Sequence, residues 1–219
     1  LSMMQDVDGI ERIRFVTSHP RDLSDELIGA IRDLAKVCES IHLPVQSGAD
    51  RVLALMNRRY TSTEYLDAVR KLRNAVPDMV ITTDIVVGFP GETADEFACT
   101  MQLLQEVEYD NIFAFKYSQR PHTKALGLPG HLAEEVKEER LAQVLELQKG
   151  ISLRKNEQHI GSVQEVLVEG ASKKGGMLTG RTRGNKAVNF FGQAHLRGSI
   201  VDLRITAAGP NSLSGELCG

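Results

Sequence analysis

The chain has 219 residues, enough for one large domain or two small ones, and its hydrophobic fraction of 42% and charged fraction of 25% are those of an ordinary globular protein. It contains no apolar run long enough to cross a membrane, and its start lacks the basic cluster and apolar core of a signal peptide, so neither is predicted. The three cysteines, Cys38, Cys99 and Cys218, show no metal-binding spacing, and a reducing, cytoplasmic location is predicted.

The net charge of −3 is spread unevenly along the chain. Residues 1–157 carry a net charge of −6, whereas residues 158–219 carry +3. A basic C-terminal part on an acidic body suggests an anionic partner for that part, with chance variation as the alternative explanation.

The first 157 residues alternate between strand and helix patterns. Strands are predicted at residues 12–16, 40–43, 80–87 and 111–117, and helices at residues 24–37, 50–56 and 132–157. Two further helices are predicted to begin at capping boxes, where a Thr precedes a Glu by three residues: Thr61 with Glu64 and Thr93 with Glu96. This alternation is typical of βαβ units around a parallel sheet.

Residues 80–93 are the centre of this pattern. They form a nearly continuous apolar strand, a turn with Gly88, Pro90 and Gly91, and a helix start. Asp84 is the only charged residue in the strand, and a carboxylate there needs a partner or a ligand because its burial alone is costly.

Every loop that follows a predicted strand carries polar residues. In parallel α/β folds these loops share the carboxyl edge of the sheet, where ligands bind. Six residues are therefore expected to lie along one edge, as ligand-binding groups or as ordinary loop hydrogen-bonding groups: Ser18, His19, Gln46, Ser47, Asp84 and Gln119.

After residue 157 the pattern changes to short strands separated by glycines. Strands are predicted at residues 163–169, 177–182, 187–191, 200–205 and 213–217. Five short strands with glycine-rich turns predict a small antiparallel barrel. Strand alternation places one of Phe190 and Phe191 in its core.

Several segments resemble the radical-SAM methylthiotransferases. The resemblance covers nearly the whole chain in collinear order, and its longest motifs are residues 14–20, 42–48, 84–93, 116–121 and 180–190. It implies an α/β fold class: residues 1–157 would be the later part of a radical-SAM partial (β/α) barrel with a linking helix. Residues 158–219 would be a small all-β, OB-like TRAM barrel that binds RNA.

The resemblance also implies a function, in the tRNA branch of the family. The enzyme would add a methylthio group to isopentenyladenosine next to the anticodon, with tRNA as partner and with S-adenosylmethionine and two iron–sulfur clusters as cofactors. Two alternatives stay open: the sister enzyme that acts on threonylcarbamoyladenosine in tRNA, and a non-catalytic RNA-binding module on an α/β scaffold. An open reading frame encoding CxxxCxxC upstream would separate the module from the enzyme.

The resemblance assigns two sets of site residues. The residues implied to bind S-adenosylmethionine are Ser18, Gln46, Ser47, Asp84, Gly88 and Glu92. The residues implied to bind RNA are Lys173, Lys174, Arg181, Arg183 and Lys186. For each of them a purely structural role is the alternative, such as a loop hydrogen bond for Gln46 or a strand partner for Asp84.

The family's cluster-binding cysteines are not in this sequence. Neither the three N-terminal cysteines of the auxiliary cluster nor the CxxxCxxC loop of the cluster that cleaves S-adenosylmethionine is found, and iron–sulfur clusters need several converging thiolates. The chain is therefore expected to be the C-terminal part of a longer enzyme and inactive by itself. A parallel sheet without its first strands exposes an apolar edge, so self-association is also expected.

Reconstitution of the chain with iron and sulfide tests this expectation. We expect no bound four-iron cluster and no reductive cleavage of S-adenosylmethionine, measured by absorbance and by release of 5′-deoxyadenosine. A bound cluster with cleavage would contradict the assignment.

Overall fold

The computed structural model describes residues 1–16, 19–173 and 175–218. Its α-helices are α1 (Ser2–Gln5), α2 (Asp25–Asp33), α3 (Asp50–Leu55), α4 (Ser62–Ala75), α5 (Ala94–Val107) and α6 (Glu134–Glu157). Its strands are β1 (Ser40–His42), β2 (Val80–Val87), β3 (Asn111–Lys116), β4 (Val163–Ala171), β5 (Leu178–Thr182), β6 (Ala187–Phe190), β7 (Ile200–Ala208) and β8 (Leu213–Leu217). A search of these described helices finds none with the length and apolar character to span a membrane.

Strands β1, β2 and β3 form a parallel sheet with β2 at its centre. Side chains along β2 alternate between a buried face and a half-buried face. The buried face packs against the helices in the main apolar core, through Ile81, Ile85 and Val87. The opposite face carries Thr82, Asp84 and Val86, and beside them β3 exposes Phe113 and Phe115 by 50% and 54%. The sheet is thus covered by helices on one face and open on the other.

The two predicted capping boxes are confirmed. In α4, Thr61 and Glu64 each bond the other's backbone N–H, and in α5, Thr93 and Glu96 do the same. Each box satisfies two N–H groups that have no partner within the helix, so it fixes where the helix begins.

Two predicted elements are shorter than expected. The strand predicted at residues 12–16 is reduced to one parallel bridge between Ile13 and Val37. The side chains on either side of Ile13 bond the barrel instead: Arg12 donates to the Arg181 carbonyl (2.7 Å) and Arg14 to the Thr182 carbonyl (2.7 Å). The helix predicted at residues 24–37 ends at Asp33, because the chain must become extended to bring Val37 to this bridge.

The five C-terminal strands close into the barrel that was predicted, in the order β4-β5-β6-β8-β7. The prediction that it is wholly antiparallel was wrong, because β6 and β8 pair in parallel. A ring with an odd number of strands cannot alternate in direction all the way round, so at least one pairing must be parallel. Phe190 is fully buried in this barrel and Phe191 is 73% exposed, as strand alternation predicts.

The barrel docks against the amino edge of the sheet. Its β5–β6 hairpin, residues 183–186, reaches the residues that precede or begin the three sheet strands. Arg183 binds Glu39 before β1, Gly184 packs on Val80 at the start of β2, and Lys186 binds Asp110 before β3. A Cβ on Gly184 would lie 2.6 Å from Val80 Cγ2, so only glycine allows this approach. A division of the chain after residue 157 stays a prediction.

The open sheet face yields a prediction about self-association. Replacing Phe113 and Phe115 with Ser should raise the dissociation constant of any dimer by at least about tenfold, because each ring loses on the order of 1.5 kcal/mol of burial. Sedimentation velocity measures this. The matched control is Val136→Ser with Leu145→Ser, which removes exposed apolar side chains from α6 and should leave association unchanged. A wild-type chain that stays monomeric at high concentration would contradict the prediction.

Candidate functional site

Gln46 is joined to the carboxyl half of β2 by two backbone hydrogen bonds. Its N–H donates to the Asp84 carbonyl (2.9 Å), and its own carbonyl accepts from the Val86 N–H (2.9 Å). Its φ of +74° is in the left-handed region, which costs a non-glycine residue energy. The surrounding ladder holds this strained backbone in place, as is typical of ligand-binding loops.

The Asp84 carboxylate lies on the open face of the sheet with polar neighbours on both sides. Gln46 Nε2 donates to Asp84 Oδ2 at 3.5 Å, and His42 Nε2 lies 3.4 Å from the same oxygen. The Asp84 side chain remains 30% exposed, so the carboxylate keeps room to accept bonds from a ligand. The structure thus brings Gln46 and Asp84 together, as the sequence predicted.

Sequence reasoning missed His42 as a member of this cluster. The position of His42 in its strand could have predicted that it lies near Asp84. His42 lies opposite Thr82 in the register of β1 and β2, and therefore on the same face as Asp84 two residues further on.

A cavity of about 610 Å³ opens beside Gln46 at this edge. Its lining includes Gln46, Arg58, Val86, Phe89, Phe115 and Tyr117. The Tyr117 hydroxyl is buried and has no hydrogen-bond partner among the described residues, which is uncommon for a buried polar atom. A volume of this size is typical of small-molecule sites, and the Gln46 and Arg58 side chains give the lining polar groups.

Of the predicted cofactor residues that the structure describes, only Gln46 lines the cavity, and three others make hydrogen bonds behind this edge. Ser47 is fully buried, and its Oγ accepts from the Ala49 N–H (3.2 Å). Glu92 Oε2 accepts from the Gly88 N–H (2.7 Å) and binds Arg140 of α6. Burial raises the pKa of Glu92, against the opposing effects of the Gly88 N–H and the Arg140 guanidinium. These residues set the shape of the turn after β2.

The remaining edge residues make local contacts. His19 Nδ1 accepts from the Arg21 N–H (3.2 Å), and Gln119 Nε2 lies 3.4 Å from His131 Nδ1. Ser18 lies outside the described residues.

Most of the predicted RNA-binding cations are engaged within the protein. Arg183 binds the Glu39 carboxylate and the Val37 carbonyl, and Lys186 binds Asp110 and Asn156. Arg181 pairs with Glu169 at 3.4 Å. Lys173 is exposed and makes no ion pair with any described residue, and Lys174 lies outside the described residues. The sequence could not separate engaged from free cations, because both have the same composition and spacing.

Asp110 is the centre of the contact between the barrel and the sheet. Its side chain is 5% exposed and binds Lys186 of the barrel (2.9 Å) and Lys155 of α6 (2.8 Å). Its Oδ2 also accepts from the Ile81 N–H (3.1 Å). Burial acts to raise the pKa of Asp110, but the two ammonium groups outweigh it and hold that pKa below its ordinary value.

Comparisons with known proteins agree with this architecture. Residues 2–104 match the model of the Radical SAM superfamily, and residues 157–218 match that of the TRAM domain. The tRNA-2-methylthio-N(6)-dimethylallyladenosine synthases of Geotalea uraniireducens and Geobacter metallireducens are 50% and 52% identical to the chain. The alignments cover 97% and 96% of this chain and 48% of each relative.

Residues 2–104 thus match the Radical SAM superfamily, and the chain is similar to tRNA methylthiotransferases along nearly its whole length. It spans about half the length of the relatives it matches. Among solved structures, coproporphyrinogen III oxidase from Escherichia coli, a radical-SAM enzyme, aligns with a TM-score of 0.51 at 14% identity, over 75% of this chain and 45% of that one. At this identity the likeness shows the fold alone, and it confirms the α/β part of the predicted architecture.

The Radical SAM match implies S-adenosylmethionine and a four-iron, four-sulfur cluster. The carboxyl-edge cavity fits the first: it has the volume of a small-molecule site and the Gln46 amide in its lining, and the partly exposed Asp84 carboxylate lies next to Gln46. The described residues do not fit the cluster, because they contain no group of three His, Cys, Asp or Glu side chains that could hold a metal. Of the cysteines, Cys38 is buried, and Cys99 and Cys218 are exposed.

The Asp110 contact yields a stability prediction. Lys186→Met leaves a buried carboxylate with one ammonium partner instead of two, so we expect the free energy of unfolding to fall by about 2–3 kcal/mol in urea titrations. The control is Lys149→Met on α6, whose exposed pair with Glu146 should contribute less than about 0.5 kcal/mol.

The effect of Lys186→Met should also depend on pH. Because the pKa of Asp110 is lowered in the folded protein, its stabilisation is present above the ordinary value of 3.8 and is lost as the pH falls through the lowered value. The stability difference between wild type and Lys186→Met should therefore shrink in acid. A difference that stays constant down to complete acid unfolding would contradict this.

Proposed function

We propose that this chain supplies the S-adenosylmethionine-binding and RNA-binding parts of a radical-SAM tRNA methylthiotransferase. The proposed reaction adds a methylthio group to isopentenyladenosine next to the anticodon. The observation that carries the proposal is the pairing of Gln46 with Asp84 beside a cavity at the carboxyl edge of the sheet. Ligands of parallel α/β folds bind at that edge.

Within this proposal the residues at the edge bind and orient the cofactor. The Asp84 carboxylate would accept hydrogen bonds from the ribose hydroxyls or the ammonium group of S-adenosylmethionine, and the Gln46 amide can both donate and accept. Ser47, Gly88 and Glu92 would act indirectly, by holding the Gln46 loop and the turn after β2 in position.

S-adenosylmethionine supplies radical chemistry in enzymes of this superfamily, and the protein contributes binding and orientation. We propose that the two iron–sulfur clusters of the enzyme are held by residues outside this chain. The described residues carry no site for them, so no catalytic step is assigned to this chain's own side chains.

The proposed substrate is based on the names of the similar proteins. Those named above are described as acting on dimethylallyladenosine, that is, isopentenyladenosine, in tRNA. Their identity of about half along nearly the whole chain favours this substrate over threonylcarbamoyladenosine. A tRNA substrate is consistent with a cytoplasmic protein. The cavity beside Asp84 favours a part of an enzyme over a non-catalytic RNA-binding module.

Binding of S-adenosylmethionine tests the proposal directly. Equilibrium dialysis with the labelled cofactor should show binding to the wild-type chain. Asp84→Asn should weaken it about tenfold to a hundredfold, because hydrogen bonds to a charged group contribute about 1.5–3 kcal/mol.

The matched control is Asp67→Asn, which neutralises an exposed carboxylate on α4 and should bind like wild type. Circular dichroism would verify that both variants are folded. Equal affinities for Asp84→Asn and wild type, or no binding by wild type at millimolar cofactor, would contradict the proposed site.

A further inference from the structure

The barrel has two ends with different surroundings. At one end, the β5–β6 hairpin of residues 183–186 contacts the sheet through Arg183 and Lys186. Leu178, at the other end of β5, pairs with Phe190, at the end of β6. The β4–β5 loop and the long β6–β7 connection therefore both leave the barrel at the end opposite the sheet contact.

We propose that this second end is the RNA-binding surface of the barrel, with Lys173, Phe191 and Arg197 as its contact residues. We name these three residues the distal surface. The proposal rests on the proposed function, since it specifies where the barrel of a tRNA-modifying enzyme holds its RNA. In this proposal the distal surface makes the main RNA contacts, in place of Arg181, Arg183 and Lys186, which were predicted from the sequence.

Each loop that carries the distal surface is bonded to a neighbouring barrel strand. Ser172 Oγ donates to Asn189 Oδ1 (2.7 Å), which joins the residue before Lys173 to β6 just ahead of Phe191. The Gly198 N–H donates to the Val168 carbonyl (2.9 Å), which fixes the residue after Arg197 to β4. These bonds anchor the chain next to Lys173 and next to Arg197 at this end of the barrel.

Arg197 lies directly over the end of β4. A Cβ on Gly170 would be 3.7 Å from Arg197 Nε, so the guanidinium packs across a strand that has no side chain at that point. Gly192 also packs closely, with its Cα facing the Leu178 and Phe190 side chains. The chain after Phe191 therefore lies against the start of β5.

The charges at this end are not compensated. The described parts of the two loop segments, residues 170–173, 175–178 and 190–199, contain Lys173 and Arg197 and no Asp or Glu. Lys173 and Arg197 form no ion pair with any residue in the described ranges, whereas Arg183 and Lys186 at the other end are both paired. Uncompensated cations bind phosphates by releasing counterions, without reorganising existing ion pairs.

Phe191 supplies the aromatic group at the same place. Its side chain is 73% exposed, while Phe190 beside it is fully buried in the barrel core. An exposed ring at the same end of a barrel as unpaired cations can stack an unpaired base while the cations hold the backbone. Single-stranded RNA, such as a loop, fits this surface, because the bases of a duplex are not open to stacking.

Fluorescence anisotropy with a labelled twelve-nucleotide oligouridylate tests the surface, with a duplex RNA of equal length and a tRNA transcript as further probes. Phe191→Ala should weaken oligouridylate binding about tenfold and leave duplex binding unchanged. Lys173→Gln with Arg197→Gln should lower the slope of log affinity against log salt by about 1.4, since each single-strand phosphate contact contributes about 0.7.

The controls are Val163→Ala and Arg204→Gln, which alter exposed residues elsewhere on the barrel and should bind like wild type. If the distal variants and the controls bind alike while the chain binds tRNA, the distal surface is refuted and the proposed function stands. If the wild-type chain binds no RNA, the distal surface is refuted, and cofactor binding remains the separate test of the enzyme site. Loss of oligouridylate binding in the distal variants alone supports the surface, whatever the result for the cofactor.

Discussion

The buried Asp110 carboxylate is the contact on which the arrangement of the molecule depends. It lies at the start of β3 and binds one ammonium from α6 and one from the barrel. A carboxylate with so little exposure is stable only if its charge is matched and its oxygens are bonded, and this requirement holds all three elements in a single arrangement. Because the contact is at the amino edge of the sheet, the barrel leaves the carboxyl edge free.

In this arrangement the stabilising contacts lie at the amino ends of the sheet strands, and the candidate ligand-binding groups lie at their carboxyl ends. The amino ends carry paired charges and close packing, such as Arg183 with Glu39 and Gly184 against Val80. The carboxyl ends carry a strained backbone at Gln46, a partly exposed Asp84 and, at Tyr117, a buried hydroxyl with no hydrogen-bond partner in the described part of the chain. Unsatisfied groups and strain persist only where rigid surroundings support them, and here the buried Ser47 and Glu92 provide part of that support.

The uncovered face of the sheet places exposed apolar side chains next to the polar groups at its carboxyl edge. Phe113 and Phe115 share a face with Asp84 and are half exposed. A sheet covered by helices on one side alone presents an apolar surface unless something covers it. The same face therefore serves the cavity beside Gln46 and accounts for the expected tendency to self-associate.

The sequence by itself determined the order of elements and the local signals within them. Alternating strands and helices, two capping boxes, the five barrel strands and the burial of just one of Phe190 and Phe191 all follow from periods of two or 3.6 residues and from local hydrogen bonds. The adjacency of Gln46 and Asp84 was also predictable, because loops after parallel strands share one edge.

Only the tertiary structure decided which polar groups are free. The cations of the barrel are alike in sequence, but Lys186 is engaged with Asp110, which lies 76 positions earlier, whereas Lys173 has no such partner among the described residues. Residues 12–16 likewise gave a strand pattern, but Arg12 and Arg14 bond the distant barrel and only Ile13 joins a bridge. Long-range pairing depends on how the two parts dock, and no local period in the sequence records that geometry.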